Sequence, residues 1–217
     1  MADGNFNIVG LTFYMGLLGL LPLLVVSLTG FLKISVVLFL IRNALGIQQT
    51  PPNLVLYGIA LILTVYVSTP LIGSIAERYN GHQLEFKSPE AIKAAVGMLR
   101  EPLQAHLARF TQPEERQFFL SATTQIWPAN ARLDLKSDDL IIMLPAFVSS
   151  ELTRAFEIGF LLYLPFLVVD LIVSTVLMAM GMSMVQPTLI SVPLKLLLFV
   201  AVAGWSRLMH GMILSYN

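Results

Sequence analysis

The sequence contains no cysteine and very little charge. Its 13 basic and 13 acidic residues make up 12% of 217 positions and cancel to a net charge of zero. Without cysteine there is no disulfide framework, no thiolate metal site and no cysteine nucleophile. Without a basic balance there is no electrostatic footprint for nucleic acid. A soluble domain of this length carries about a quarter charged residues. A chain that is 56% hydrophobic, with a mean hydropathy of +0.78, therefore reads as a membrane protein or as one whose helices are covered by partners. The opening MADGNFNIVG holds Asp3 and no Lys or Arg. It lacks the basic n-region of a secretory signal, so no cleaved leader is expected.

The scarce charge is unevenly spread. Residues 77–139 hold 8 of the 13 basic and 9 of the 13 acidic residues, leaving 5 and 4 for the rest. This divides the chain into an N-terminal apolar hairpin (1–76), a polar insertion (77–139) and a C-terminal apolar hairpin (140–217). The first apolar stretch, Ile8 to Ile41, is interrupted only by Lys33. About 20 apolar residues cross a bilayer as a helix, so it is long enough to span. Pro22 and Gly30 mark kinks, and Gly16 and Gly19 allow close backbone approach. The second stretch, 54–76, carries no charge. Between them, RNALGIQQTPPN reads as a short polar tip. Arg42 and Asn43 lie in a last helical turn, Gly46 suits a left-handed C-cap, and Pro51-Pro52 fit the start of the next helix.

The insertion reads as helical, with no β-branched alternation to argue for a sheet. Ser88-Pro89-Glu90 is a helix start, Pro102 breaks or restarts that helix, and Thr111-x-x-Glu114 matches a capping box. The C-terminal half differs in carrying Glu151, Arg154, Glu157 and Asp170 within its apolar run, then Lys195 and Arg207. On a helix Glu151, Arg154 and Glu157 are successive i, i+3 neighbours, so both acids are in reach of one arginine. Charges so placed face protein or a water-filled path, not lipid. Asp170 is either a coupling carboxylate of a proton-driven transporter, or an acid that bonds a neighbouring helix or pairs with Lys195 or Arg207. Lys33 poses the same choice.

No catalytic constellation emerges, and the chain reads as a non-enzyme. His82, His106 and His210 form no spaced metal cluster. Ser149-Ser150-Glu151 has no histidine at a useful spacing and reads as ordinary helix hydrogen bonding. There is no phosphate loop or dinucleotide fingerprint, so no cofactor and no metal are expected. The tip carrying Arg42 is the one short loop with a base and no acid, which places it in the cytoplasm. The insertion and both termini would then share the opposite side.

The stretch MAMGMSMVQP (178–187) sets Met178, Met180, Met182 and Met184 at every second position around Gly181. A helix would put two i, i+4 methionine pairs on different faces, whereas an extended chain would point all four one way. Methionine specifies packing poorly, so the motif is either core filler or a deformable apolar surface. Gly181 and Pro187 favour a loop.

Three long stretches carry a resemblance: FLKISVVLFLIRNALGIQQTPPNLVLYGIALILT (31–64), LPAFVSSELTRAFEIGFLLYLPFLVVDLIVSTVLMAMGMSMVQP (144–187) and PLKLLLFVAVAGW (193–205). Together they resemble the R subunit of the type III secretion export apparatus, a family that includes flagellar FliP and its injectisome counterparts. GIQQTPPN and Lys33 lean to the injectisome branch. Ala203 departs from the Asp-Gly-Trp common in flagellar members.

The resemblance implies an all-α, membrane-associated protein of helical hairpins that assembles into a helical multi-subunit export gate. Several copies, five expected, would join the S and T subunits beside the U and V subunits. The site would be the bacterial inner membrane, multi-pass, with the assembly projecting to the periplasmic side among lipid. Its cargo would be unfolded secreted protein, with no nucleic acid. The resemblance further implies that Met178, Met180, Met182 and Met184, with Gly181 permitting the turn, form a gasket in the conduit. Two rival readings are a proton-coupled secondary transporter using Asp170 and a membrane scaffold without a passage. No inverted repeat supports the former, and clustered methionines are unexplained by the latter.

Overall fold

The structure is a computed structural model. It describes residues 15–16, 19–20, 22–23, 25–47, 49–79, 89–128, 130 and 135–217, with backbone alone at 78–79 and 89–96. The leader reading on the first ten residues, His82 and the Ser88 cap lie outside the described residues. Among those described, regular structure is helical throughout, without a strand. The all-α class read from the sequence is what is found. The helices with defined bounds are α1 (Phe31–Ala44), α2 (Asn53–Tyr79), α3 (Pro89–Phe110), α4 (Pro113–Ile126), α5 (Leu140–Ala179), α6 (Thr188–Ala201) and α7 (Gly204–Leu214).

The chain divides into two compact units, Met1–Gly30 with Ser68–Glu151, and Phe31–Val67 with Leu152–Asn217. In the first unit, Leu107 and Phe110 of α3 are buried, as are Ile142, Met143, Ala146 and Phe147 of α5. Arg100 pairs with Asp139 at 2.6 Å, and the Gln104 amide donates to the Asp138 carbonyl at 2.8 Å. Further along, the backbone N–H of Gln112 donates to Ser150 Oγ at 3.0 Å. The residues just before α5 thus meet α3 at Arg100 and Gln104, and Ser150 within α5 meets Gln112 just past the end of α3, so α3 and the first turns of α5 run in the same direction.

Two expectations for this unit are overturned. Helix α3 passes through Pro102 without a break. The Arg100 and Gln104 anchors hold it on both sides of the proline and offset part of the cost of about 3 kcal/mol for an interior proline. Nor is there a capping box. Gln112 is the N-cap of α4, without a side-chain cap bond, and Pro113 begins the helix. The Thr111 hydroxyl turns back to the Leu107 carbonyl at 2.6 Å, so it is spent on the end of α3. Arg116 Nη2 reaches the carbonyls of Ala108 and Thr111, supplying a cation to that same C-terminus.

In the second unit, α1 buries Ile34, Val37, Leu38 and Ile41, one helical stripe. Leu56, Ala60 and Leu63 form the matching stripe on α2, and Ala155, Gly159, Phe166, Val173 and Leu177 that on α5. A Cβ on Gly159 would lie 2.2 Å from Leu40 Cδ1, so glycine sets how closely α1 approaches α5. The remaining faces are apolar yet exposed. Leu54, Ile62 and Tyr66 on α2, and Phe160, Leu161, Leu171 and Ile172 on α5, are all more than half accessible. A helix apolar all round needs lipid or further protein around it. Asn53–Glu77 and Leu140–Ala179 are long and apolar enough to cross a membrane. Helices α6 and α7, bent by 63° at their junction, make a third candidate as a broken span.

Candidate functional site

The methionine segment lies between α5 and α6. Helix α5 ends at Ala179, and Gly181 follows with φ +72°. The N–H of Gly181 donates to the Met178 carbonyl at 3.0 Å, and that of Met182 to the Leu177 carbonyl at 2.9 Å. This is the paired 5→2 and 6→1 arrangement of a Schellman cap, which needs a left-handed residue at the glycine position. Only glycine adopts that conformation without a Cβ penalty. A second turn, from Val185 N–H to the Met182 carbonyl at 3.1 Å, leads through Pro187 into α6. Met178 is therefore in the last turn of α5, and Met180, Met182 and Met184 are on the loop that follows. All four methionines are exposed, and Met184 is fully so at 100%. As filler for this chain's own core they would be buried, so that alternative is closed within the chain.

Below the loop, Asp170 on α5 and Lys195 on α6 form an ion pair, with Nζ 2.5 Å from Oδ2. Lys195 also donates to the Ala44 carbonyl at 3.0 Å. Ala44 ends α1, where unpaired carbonyls and the helix dipole both favour a cation. One buried lysine thus ties three helices together. One turn earlier on α6, Val192 packs against Gly46, where an added Cβ would meet Val192 Cγ2 at 2.6 Å. Gly46 has φ +77°. It is therefore required twice, for its conformation and for its size.

The α1–α2 tip is held by Arg42. Its Nη1 donates to Asn53 Oδ1 at 2.6 Å and to the Pro51 carbonyl at 3.3 Å, and its guanidinium lies 4.9 Å from the Phe39 ring centre. The residue is only 9% exposed, a charge consumed inside the tip. The Gly46 N–H closes the α1 end on the Asn43 carbonyl at 3.0 Å, while the Asn43 side chain itself is exposed. Pro51 and Pro52 directly precede α2, and the Pro52 carbonyl accepts its first turn from Val55 and Leu56.

The remaining charges differ in setting. Lys33 is fully buried, its Nζ 3.4 Å from the centre of the Tyr216 ring, a desolvated cation–π contact. Glu151 is fully buried, Arg154 is half-buried and Glu157 is exposed. Each i+3 step falls about 60° short of a full turn, so the strip winds from the inside of α5 to its outside. Ser150 is buried and donates to the Ala146 carbonyl at 2.7 Å, the helix bonding expected of it. Arg207 is exposed, and its guanidinium has no partner among the described residues.

Sequence reasoning missed the Lys33–Tyr216 contact and the role of Ser150 as acceptor for Gln112. It also missed a cavity of about 460 Å³ in the second unit. The AVAGW stretch offered a partial signal for the last. Ala203 there has φ 52° and caps α7, and an added Cβ on Gly204 would lie 2.3 Å from the Phe199 ring. Among the described residues, no group of three or more His, Asp or Glu side chains could hold a metal ion.

Comparison with known proteins adds a family. The sequence model of the FliP family matches residues 14–212. The chain is 57% identical over 200 residues to the probable translocation protein y4yL of Sinorhizobium fredii, covering 92% of this chain and 90% of that protein. It is 47% identical over 209 residues to the Yop proteins translocation protein R of Yersinia pestis, covering 96% of each. The harpin secretion protein HrcR of Erwinia amylovora is 42% identical over 216 residues, with both chains covered in full.

Proposed function

Since this chain belongs to the FliP family, with relatives that are injectisome-type R subunits of type III secretion, we propose that it forms part of the wall of the export gate and that its methionine loop is the gasket. It is a bacterial membrane protein of the type III secretion translocation family. The proposal extends this to a conduit through which unfolded proteins cross the inner membrane. The observation that carries it is the placement of the methionines. Four soft side chains stand exposed, one in the last turn of α5 and three on the loop fixed by Gly181, above a hairpin braced by Asp170 and Lys195. Methionine is unbranched and polarizable, so it conforms to cargo of varied shape. A rigid base with a compliant tip is what a seal requires.

The helices support membership of a larger assembly. At 1.5 Å per residue, 40 residues of α5 make about 60 Å of helix, against about 30 Å of bilayer hydrocarbon. Much of its exposed apolar face is therefore left for protein. The gate would comprise several copies of this chain, five by the family resemblance, with S and T subunits and beside U and V subunits, projecting to the periplasmic side. In that arrangement 1–76 and 140–217 are the apolar hairpins and 77–139 is the periplasmic insertion. The chain has a structural and not an enzymatic role. Asp170, engaged by Lys195, favours bracing over proton carriage.

The test is a double substitution, Met180→Ile with Met182→Ile, in the intact secretion apparatus. β-Branching stiffens the side chains without removing apolar surface. Secretion should fall while the assembled complex is recovered in normal amount. Unchanged secretion with unchanged ion tightness would refute the gasket.

A further inference from the structure

The cavity in the second unit lies between the middle turns of α5, the end of α6 and the length of α7. Leu162, Phe166, Leu198 and Leu208 give it an apolar wall, and Arg207 is its one charged lining residue. Ser215 also reaches it, but its hydroxyl already donates to the Met212 carbonyl at 2.7 Å. The volume of about 460 Å³ falls within the ~300–1,000 Å³ of small-ligand sites.

We propose that this cavity holds one acyl chain of an anionic phospholipid, with the lipid phosphate paired to Arg207. The chemistry of the wall selects this occupant. An extended peptide would carry several backbone amides into a space where Arg207 is the one side chain free to receive any of them, at a high cost for each left over. An acyl chain brings no polar group and replaces water that an apolar cavity holds poorly. At the mouth stands the unpartnered guanidinium, whose planar fork suits a phosphate. Trp205 lies half-buried in the same first turn of α7, just past the 63° bend. The proposal stands on this geometry and does not depend on the gasket.

The experiment uses the full chain purified in dodecyl maltoside, with dioleoylphosphatidylglycerol and dioleoylphosphatidylcholine offered in equal amounts. Retained lipid is counted by native mass spectrometry. Both lipids bring the phosphate, but phosphatidylcholine adds a trimethylammonium that the Arg207 guanidinium repels, so the parent should keep phosphatidylglycerol in preference by about tenfold. Arg207→Gln should bring the anionic lipid down to the level of the zwitterionic one. Gly211→Leu should abolish retention of both. A Cβ at Gly211 meets nothing within 4 Å, so the leucine enters the cavity and also favours the helix, and unchanged helical circular dichroism checks the fold. Equal retention of the two lipids by the parent would overturn the proposal, as would phosphatidylglycerol unaffected by both substitutions. A lipid-free parent dimer that Gly211→Leu splits would also overturn it, giving the cavity to a second copy.

Discussion

Asp170 and Lys195 face each other across the α5–α6 hairpin, and the same lysine holds the last carbonyl of α1. Asp170 remains about a third accessible while Lys195 is 5% accessible, so the lysine bears most of the desolvation. Lys195→Ala should therefore destabilise the chain by about 2–3 kcal/mol, the range of a hydrogen-bonded charge. Asp170→Leu alone should cost a similar amount by leaving the lysine without its acid. The double substitution to leucine should cost much less than the sum, since no uncompensated charge remains. Denaturation of the detergent-purified variants measures this. Strict additivity would show that the two groups do not act as a pair.

Ala203 carries a left-handed backbone at the start of α7. An L-residue with a Cβ pays about 1–2 kcal/mol there. Ala203→Gly should raise stability by about 1 kcal/mol, and Ala203→Asn by somewhat less, because asparagine tolerates that conformation. The neighbour behaves in the opposite way. Gly204→Ala should destabilise, because the Phe199 ring, which stacks edge-on with Trp205 at 5.4 Å, occupies the space. Melting temperatures of the three variants in one detergent decide the matter. A loss of stability in Ala203→Gly would mean that the corner is held by other contacts.

What was legible in the sequence was local. Gly46 and Gly181 sit two residues past the last helical residue, and a left-handed cap follows from a few adjacent residues. The apolar spans follow from composition. Contacts between distant segments were not legible. Nothing near Lys33 announces Tyr216, and nothing near Gln112 announces Ser150. Pro102 and Thr111 misled for the same reason. Each was judged by its neighbours in sequence, while α5 and the end of α3 decided the outcome. The Asp170–Lys195 pair was among the alternatives, but only packing could choose between Lys195 and Arg207.

His106 supplies a pH dependence in the polar insertion. Burial, with a smaller contribution from the positive charge of Arg109, holds its imidazole below the ordinary value of 6.5. Between the lowered native value and 6.5, the unfolded chain binds more protons than the folded one. Stability therefore rises with pH through that window, is fully present above 6.5 and is lost as pH falls. Amide exchange of α3 should show weaker protection at pH 5.5 than at 7.5. His106→Gln should flatten that difference relative to the parent. An equal slope in both proteins would remove His106 as its source.

Gly181 tests whether the methionine loop must hold one shape. Its left-handed backbone joins two cap bonds, yet a Cβ there would meet no neighbour within 4 Å. Gly181→Ala is therefore penalised by conformation alone, at about 1–2 kcal/mol. Because the loop is exposed and joins the two hairpin helices at their ends, the chain should answer by reshaping the loop and not by unfolding. The expected result is a melting temperature within a few degrees of the parent, together with altered accessibility of Met180 and Met182 to oxidation. On the gasket proposal, the same variant in the assembled apparatus should leak ions or lose secretion, since the methionines would no longer present the same surface. If Gly181→Ala preserves both tightness and secretion while methionine accessibility changes, softness suffices and the Gly181 turn is dispensable to the seal.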